Sequence, residues 1–332
     1  MAAWPLVFVP VAVLTMLALF RFVGCDSVFG LESVDIGDSY QDTVASDHPV
    51  SYWRLQDAHG AEPAAATSPN VPVSGGAAKD ETGTNDGMFK VVALVPPPEL
   101  PDSPSASGTL ALEAPGLLDL SGHGANTSLS VDGGYVEVAF STSLLLPSFT
   151  IEAVVFPEWS TAETGLFRTV IALSTVDATP GSAKGFGFGL FAGPHPADPA
   201  SPDVWQIWLG DGTSFLPMKD PTRNLTPVDF TKSNYLAVTY DDPTKTLNMF
   251  VYVQGIDLDS GVGHPLKNVA VAGFSPVADP TQSLLIGMHR PPLGNTIPVY
   301  HSFKGRIQEV AVYREALGID RIMSHVMAGL EI

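Results

Sequence analysis

Cysteine is almost missing from this chain: Cys25 is the single one among 332 residues. No intrachain disulfide can form, so the fold must hold through its core, and a chain of this length buries enough surface for that. Charge is scarce too. Asp, Glu, Lys and Arg supply 15% of the residues, against about a quarter in an ordinary soluble domain. Basic residues are the scarcest: 16 Lys and Arg stand against 35 Asp and Glu, a formal charge of −19. That excludes a nucleic-acid partner, because phosphate backbones require basic patches. An acidic surface serves solubility first and is compatible with divalent cations. There is no Gly-x-Ser-x-Gly elbow, no phosphate loop and no strand of alternating acidic residues.

What the chain does have is apolar residues and turns. Hydrophobic residues make up 45%, which excludes a disordered composition. The 31 glycines and 29 prolines suit many short strands joined by turns. One uncharged run, Trp4 to Phe20, resumes after Arg21 as Phe22-Val23-Gly24. At about 17 residues it sits at the lower limit for a membrane-spanning helix, and Arg21 can snorkel to the interface. Three readings of residues 4–24 stay open. One is a retained signal anchor. Another is a lipoprotein signal, since Phe22-Val23-Gly24-Cys25 resembles a lipobox with Phe22 where Leu is usual. The third is a cleaved secretory signal, although the basic leading region is missing. Each places the bulk of the chain outside the cytoplasm, at a cell membrane or cell surface. The expected organisation is an anchor or signal over 1–24, a linker over 25–46 and one domain over 47–332.

Strand patterns dominate that domain. In Tyr135–Phe140, Val136, Val138 and Phe140 share a face. In Phe149–Pro157, Phe149, Ile151, Ala153 and Val155 do so. Tyr235–Tyr240, the turn Asp241–Lys245 and Leu247–Val253 read as a hairpin. Leu284–Gly287 and Gly305–Tyr313 are later strands. Ala61–Gly76 and Val95–Pro104 read as loops. Only the C-terminus is helical in pattern, with Ile319, Ile322, Met323 and Val326 in one stripe. The fold class is therefore all-β: a two-sheet antiparallel jelly-roll sandwich with a short C-terminal helix and an N-terminal hydrophobic segment.

Several stretches carry a resemblance. They are Pro49–Asp57, Asp80–Gly87, Val131–Val138 with Phe149–Ala153, Leu236–Asp241 through Val253-Gln-Gly255, and Lys304–Tyr313. Taken together, in this order over residues 47 to 330, they resemble the laminin-G-like, concanavalin-A-like jelly-roll family. The resemblance implies two stacked antiparallel sheets, often with a calcium ion, and binding of carbohydrates or proteins at a cell surface. It implies a calcium site between Asp57 and the last strand, where Gln308 stands at a position commonly held by Asp. A neutral amide is a weaker ligand for a cation that takes six to eight oxygens. Asp80, Asn85 and Asp86 form a second oxygen-rich cluster, and the same residue types also suit a tight turn.

A sugar-binding face needs exposed aromatic rings, and Trp205, Trp208 and Tyr300 are the candidates. Trp205 and Trp208 are three apart, so on a strand they point to opposite sides and one of them belongs to the core. Glycoside hydrolysis needs two carboxylates flanking the bond, whereas Glu137 and Glu152 are single acids in apolar strands. His195, His289 and His301 have no ligand spacing. Asn126-Thr-Ser128 and Asn224-Leu-Thr226 fit the asparagine-linked glycosylation pattern. The expectation is a membrane-tethered or exported, non-catalytic module that binds a glycan or a surface protein, with calcium as the one candidate cofactor. The alternatives are a structural or assembly component of a surface or virion, and a glycoside hydrolase.

Overall fold

The computed structural model describes residues 40–56, 62–66, 71–94, 107–118, 126–159, 166–177, 184–194, 202–217, 226–255, 264–270, 274–289 and 302–329. Residues 4–24, with the membrane and lipid readings placed on them, lie outside these. Among the described residues no helix is long and apolar enough to cross a membrane. Residues from Tyr40 onward form a compact unit.

The described strands are β1 (Ser51–Trp53), β2 (Val73–Ala78), β3 (Gly87–Val91), β4 (Thr109–Pro115), β5 (Thr127–Asp132), β6 (Gly134–Val138), β7 (Phe149–Pro157) and β8 (Arg168–Asp177). They continue as β9 (Lys184–Gly193), β10 (Val204–Asp211), β11 (Phe215–Pro217), β12 (Asn234–Asp241), β13 (Thr246–Val253), β14 (His264–Ala270), β15 (Leu284–Ile286) and β16 (Lys304–Tyr313). Helix α1 spans Tyr40–Ser46 and α2 spans Ile319–Gly329. The first sheet runs β14-β13-β12-β7-β16-β5-β4, with β1 added on β16. The second runs β11-β10-β9-β8-β15-β6-β3-β2. The strand pairings are antiparallel, as the family resemblance implies.

Alternation explains the layering. Phe149, Ile151, Ala153 and Val155 of β7 face Val170, Leu173, Leu190 and Ile207 of the second sheet in one core. Period-two apolar positions leave water on one side only, which is why these segments are strands. The opposite face of the first sheet carries Tyr235, Ala237, Phe250, Tyr252 and Tyr313, and α1 and α2 pack on it. The described members of both cores run from Tyr40 to Val326.

Two expectations change here. The linker expected over 25–46 gives way at its end to α1, whose Tyr40 and Val44 are buried. The loop expected over Ala61–Gly76 ends in β2, paired with β3. On α2 the buried face is Ile322, His325, Val326 and Gly329, while Ile319 is exposed. Gly329 is needed for the close approach: a Cβ there would lie 2.7 Å from Cδ2 of Tyr40.

Beneath the helices lies a buried ionic chain. The Nδ1 of His325 is 2.9 Å from Oε2 of Glu152, and its Nε2 is 3.0 Å from Oδ2 of Asp47. The Asp47 contact is an ion pair rather than an aligned hydrogen bond. Asp47 in turn pairs with Arg321 of α2. Tyr313 donates its hydroxyl to Glu152 at 3.0 Å. Burial lowers the His325 pKa, but the hydrogen bond and charge of Glu152, with the charge of Asp47, outweigh it and raise the pKa above 6.5. Two facing carboxylates favour the charged form of the ring, with Nδ1 bonded to Glu152 and Nε2 meeting Asp47 through charge.

Candidate functional site

Four of the expected site residues, Asp80, Asn85, Asp86 and Gln308, fall on a turn and a bulge. Asp80 is buried. Its Oδ1 accepts the backbone N–H of Tyr52 at 2.8 Å and of Thr82 at 3.0 Å. Its Oδ2 accepts the Thr82 hydroxyl and the Asn85 N–H, each at 2.8 Å. Asp86 accepts from the Asp80 N–H and from Lys79, which together hold its carboxyl below the usual range. Asn85 donates its amide to Ser51 and Ser143 and accepts from Ser143. The Oε1 of Gln308 accepts the Leu117 N–H, and its Nε2 donates to Asn126 and Glu309. Protein donors thus already occupy these oxygens, and they staple the β2–β3 turn to β1 and both Leu117 and Asn126 to β16. Among the described residues no three His, Cys, Asp or Glu side chains gather as a metal site. At Asp80, Asn85, Asp86 and Gln308 these oxygens hold the fold, whereas calcium takes six to eight converging oxygens. Asp57 lies outside the described residues.

Glu309, beside Gln308, is the residue the alternation hides. Two residues of β16, Glu309 and Val310, stand opposite one residue of β7, because the register shifts between Gln308 and Ala311. Glu309 takes a left-handed φ of +54°. The bulge turns both Gln308 and Glu309 outward. The Glu309 carboxyl is fully buried and accepts from Tyr52, Arg54 and Gln56. Burial raises its pKa, and the charge of Arg54 works against that rise. Asn126 is drawn into the same network: its Nδ2 donates to the Leu118 carbonyl, and its Oδ1 accepts from Gln308.

The two tryptophans separate as their spacing requires. Trp205 is fully buried between the sheets and donates to Oδ1 of Asn234 at 3.1 Å, so it is a core residue and not a surface contact. Trp208 is on the outer face of the second sheet and only partly covered. Its ring meets Phe191 at 4.8 Å and 90°, and Phe167 at 5.4 Å and 67°. Phe167 meets Phe191 at 6.0 Å and 80°. Tyr300 lies outside the described residues, as do His195 and His301.

The strand β9 makes room for these rings. Its outward positions are Gly185, Gly187, Gly189, Phe191 and Gly193, while Phe188, Leu190 and Ala192 face the core. A Cβ on Gly189 would lie 2.8 Å from Cε1 of Phe191, and one on Gly193 would lie 2.6 Å from Cδ1 of Phe167. The two phenyl rings therefore occupy the space that side chains at Gly189 and Gly193 would fill, and the three rings meet edge to face. Phe167 and Phe191 were not among the sequence candidates. The signal for them is the period-two glycine pattern of Gly185-Phe-Gly-Phe-Gly-Leu-Phe-Ala-Gly193.

Register carries this face across the sheet. Trp208 stands beside Gly189, Gly189 beside Ala172, Ala172 beside Leu285, Leu285 beside Glu137 and Glu137 beside Met88. The middle of the row is buried. Accessible surface lies at its ends: Trp208 with Phe167 at one, Met88 with the Lys90–Glu137 ion pair at the other. Polar groups flank the aromatic end. Gln206 shares its face and donates to the Pro194 carbonyl at 3.0 Å. Asp211 closes the same strand about 10 Å along, by strand rise. Burial raises the Asp211 pKa, but hydrogen bonds from Thr213 and Ser214 outweigh it and hold the carboxyl below its usual range. Glu137 and Glu152 occupy opposite outer faces of the sandwich and do not oppose each other across a cleft.

Neither family models nor curated proteins match the chain in sequence. Solved structures are similar to it in fold. Domain 4 of an extracellular arabinanase from Geobacillus stearothermophilus, solved with arabinotriose, is similar at a TM-score of 0.42 and 16% identity, over 74% of this chain and 91% of that one. The CBM40 domain of a Ruminococcus gnavus sialidase, bound to α2,3-sialyllactose, is similar at 0.38 and 17%, over 55% and 84%. A Trypanosoma rangeli sialidase is similar at 0.40 and 12%, over 85% and 33%.

Proposed function

We propose that the chain is an exported or membrane-tethered, non-catalytic binding module whose outer face on the second sheet takes a glycan through Trp208 and Phe167. One observation carries this reading: a partly exposed aromatic cluster packed on glycine-bared backbone. A pyranose has an apolar C–H face and a polar rim. It can lay that face on Trp208 and turn its hydroxyls to the Gln206 side chain, which shares the face of β10 with Trp208. Strands hold such a platform more rigidly than loops do, which lowers the cost of binding. The absence of paired, facing carboxylates among the described residues supports binding over hydrolysis.

The test is a broad glycan-binding screen of residues 40–332, run with calcium and with EDTA, in the wild type and in Trp208→Ala. Saturable binding that Trp208→Ala removes supports the reading. Binding that survives in Trp208→Ala moves the site elsewhere. No glycan binding in either buffer moves the function to protein partners or assembly. Loss of binding in EDTA alone would place a calcium ion in the site after all.

A further inference from the structure

The sandwich has a second concavity, away from the aromatic face and unused by the glycan reading. It is a cavity of about 280 Å³ at the end of the core where the Leu144–Pro147 and Pro276–Ala278 segments meet. Leu146 and Phe149 come from the first of these segments and its following strand, and Leu173 and Phe188 from the second sheet. Leu145 and Val277 form its lips, and each is 45% exposed although both are large and apolar. They are among the few large apolar side chains that the described surface leaves in water.

Both lips are fixed in place. The Val277 N–H donates to the Gly210 carbonyl at 2.9 Å, and its own carbonyl accepts the Gly187 N–H at 2.7 Å. The other lip follows a 3-10 turn, Thr142–Leu144, capped by the Ser141 hydroxyl. Ser143 anchors that turn to Asn85. The cavity is therefore a standing feature of the fold, with its rim backbone already hydrogen-bonded. None of its lining side chains carries a charge or a hydrogen-bonding group. A sugar, an ion or a peptide bond would lose its water there and gain no partner. An apolar pocket of this size, open at its lips, favours small apolar molecules, which release water from its walls as they enter.

We infer that this cavity is a binding site for one small apolar group, with the size and shape of a single aromatic ring or a short branched alkyl chain. The ligand enters between Leu145 and Val277, and its contacts are dispersion and burial alone.

Toluene is the probe, with glycerol as a polar control of similar size. It would be titrated into residues 40–332 while the Leu and Val methyl resonances are followed. The expected result is saturable shifts at Leu144, Leu146, Leu173 and Val277, with a dissociation constant of roughly 1 mM or tighter for so few atoms. Glycerol should leave these signals unmoved. Val277→Asp and Leu145→Asp place a carboxylate at the mouth from exposed positions. Each should weaken toluene binding at least tenfold with the thermal midpoint retained. If Val277→Asp unfolds the chain, Leu145→Asp decides, because its exposed side chain is free of the rim's backbone bonds to β9 and β10. Non-saturating shifts, shifts centred elsewhere, or undiminished binding in a folded variant would overturn the assignment.

Discussion

Both outer faces of this sandwich are aromatic, and they are finished differently. The first sheet shows Tyr235, Tyr252 and Tyr313, and α1 and α2 close over them. The second shows Phe167, Phe191 and Trp208, with glycines beneath the phenyl rings. The first set carries hydroxyls. Once covered, a hydroxyl must find a partner, and Tyr313 and Tyr52 find theirs in Glu152 and Glu309. The covering helices then bring in His325 and Asp47 to balance the charge. The phenyl rings bring no such demand, and the glycines flatten the surface on which they lie. A closed aromatic face needs a polar network under it. An aromatic face used for recognition needs flatness and some exposure.

Breaking the closed face should have the largest effect. Glu152→Ala removes the fully buried partner of His325, leaves it only Asp47, strips Tyr313 of its acceptor, and should cost about 3–5 kcal/mol in denaturant unfolding, by analogy with other buried pairs. Glycan binding by the protein that stays folded should be unchanged. A loss below about 1 kcal/mol would show that the ionic chain does not hold the helices. Breaking the open face should do the reverse. Trp208→Ala should weaken glycan binding tenfold or more, about 1.4 kcal/mol, and cost about 1–2 kcal/mol in unfolding, less than Glu152→Ala, because most of the ring is packed on Phe167 and Phe191.

A subtler change sharpens the contrast. Gly189→Ala should push the Phe191 ring off the strand, since its Cε1 would lie 2.8 Å from the new methyl. It should cost about 1 kcal/mol of stability by overpacking and weaken binding less than Trp208→Ala does. Unchanged binding would mean that Phe191 only supports Trp208.

The smallest effect is on pH dependence, and its sign is fixed. The His325 pKa is raised above 6.5 in the folded state, so its contribution is complete below 6.5 and is lost as pH rises through the folded value. The Glu309 pKa is also raised, by burial, so its ionisation removes stability as pH rises past its usual range. The stability gap between wild type and His325→Gln should therefore be wider at pH 6 than at pH 9. A gap that widens with pH would contradict an imidazolium.

Much of this was legible in the sequence because burial on one side writes a period of two. The faces of β6 and β7 and the β12–β13 hairpin appear as expected, and Lys245 takes the left-handed φ of +51° that closes the hairpin turn. The spacing of Trp205 and Trp208 correctly sends them to opposite sides. The rest was hidden for physical reasons. A bulge cancels the alternation at Gln308 and Glu309, so a carboxylate that reads as one face belongs to the other. Helix α1 buries only Tyr40 and Val44, one turn of pattern in seven residues. Strand β2 contains Gly75-Gly76 and reads as a loop until β3 pairs with it. On α2, His325 counts as polar by composition and is core by position.

The commitment of Asn126 has a practical consequence for production. Its amide nitrogen, the atom to which a host oligosaccharyltransferase would attach sugar, is already donating to Leu118 in the finished fold. Attachment there would leave one N–H and the Oδ1 that accepts from Gln308, but the sugar would have to find room beside Gly116, over which the Asn126 amide already sits. In a host that decorates Asn-x-Ser/Thr, a mass increment at Asn126 would therefore count the chains modified before this amide packed.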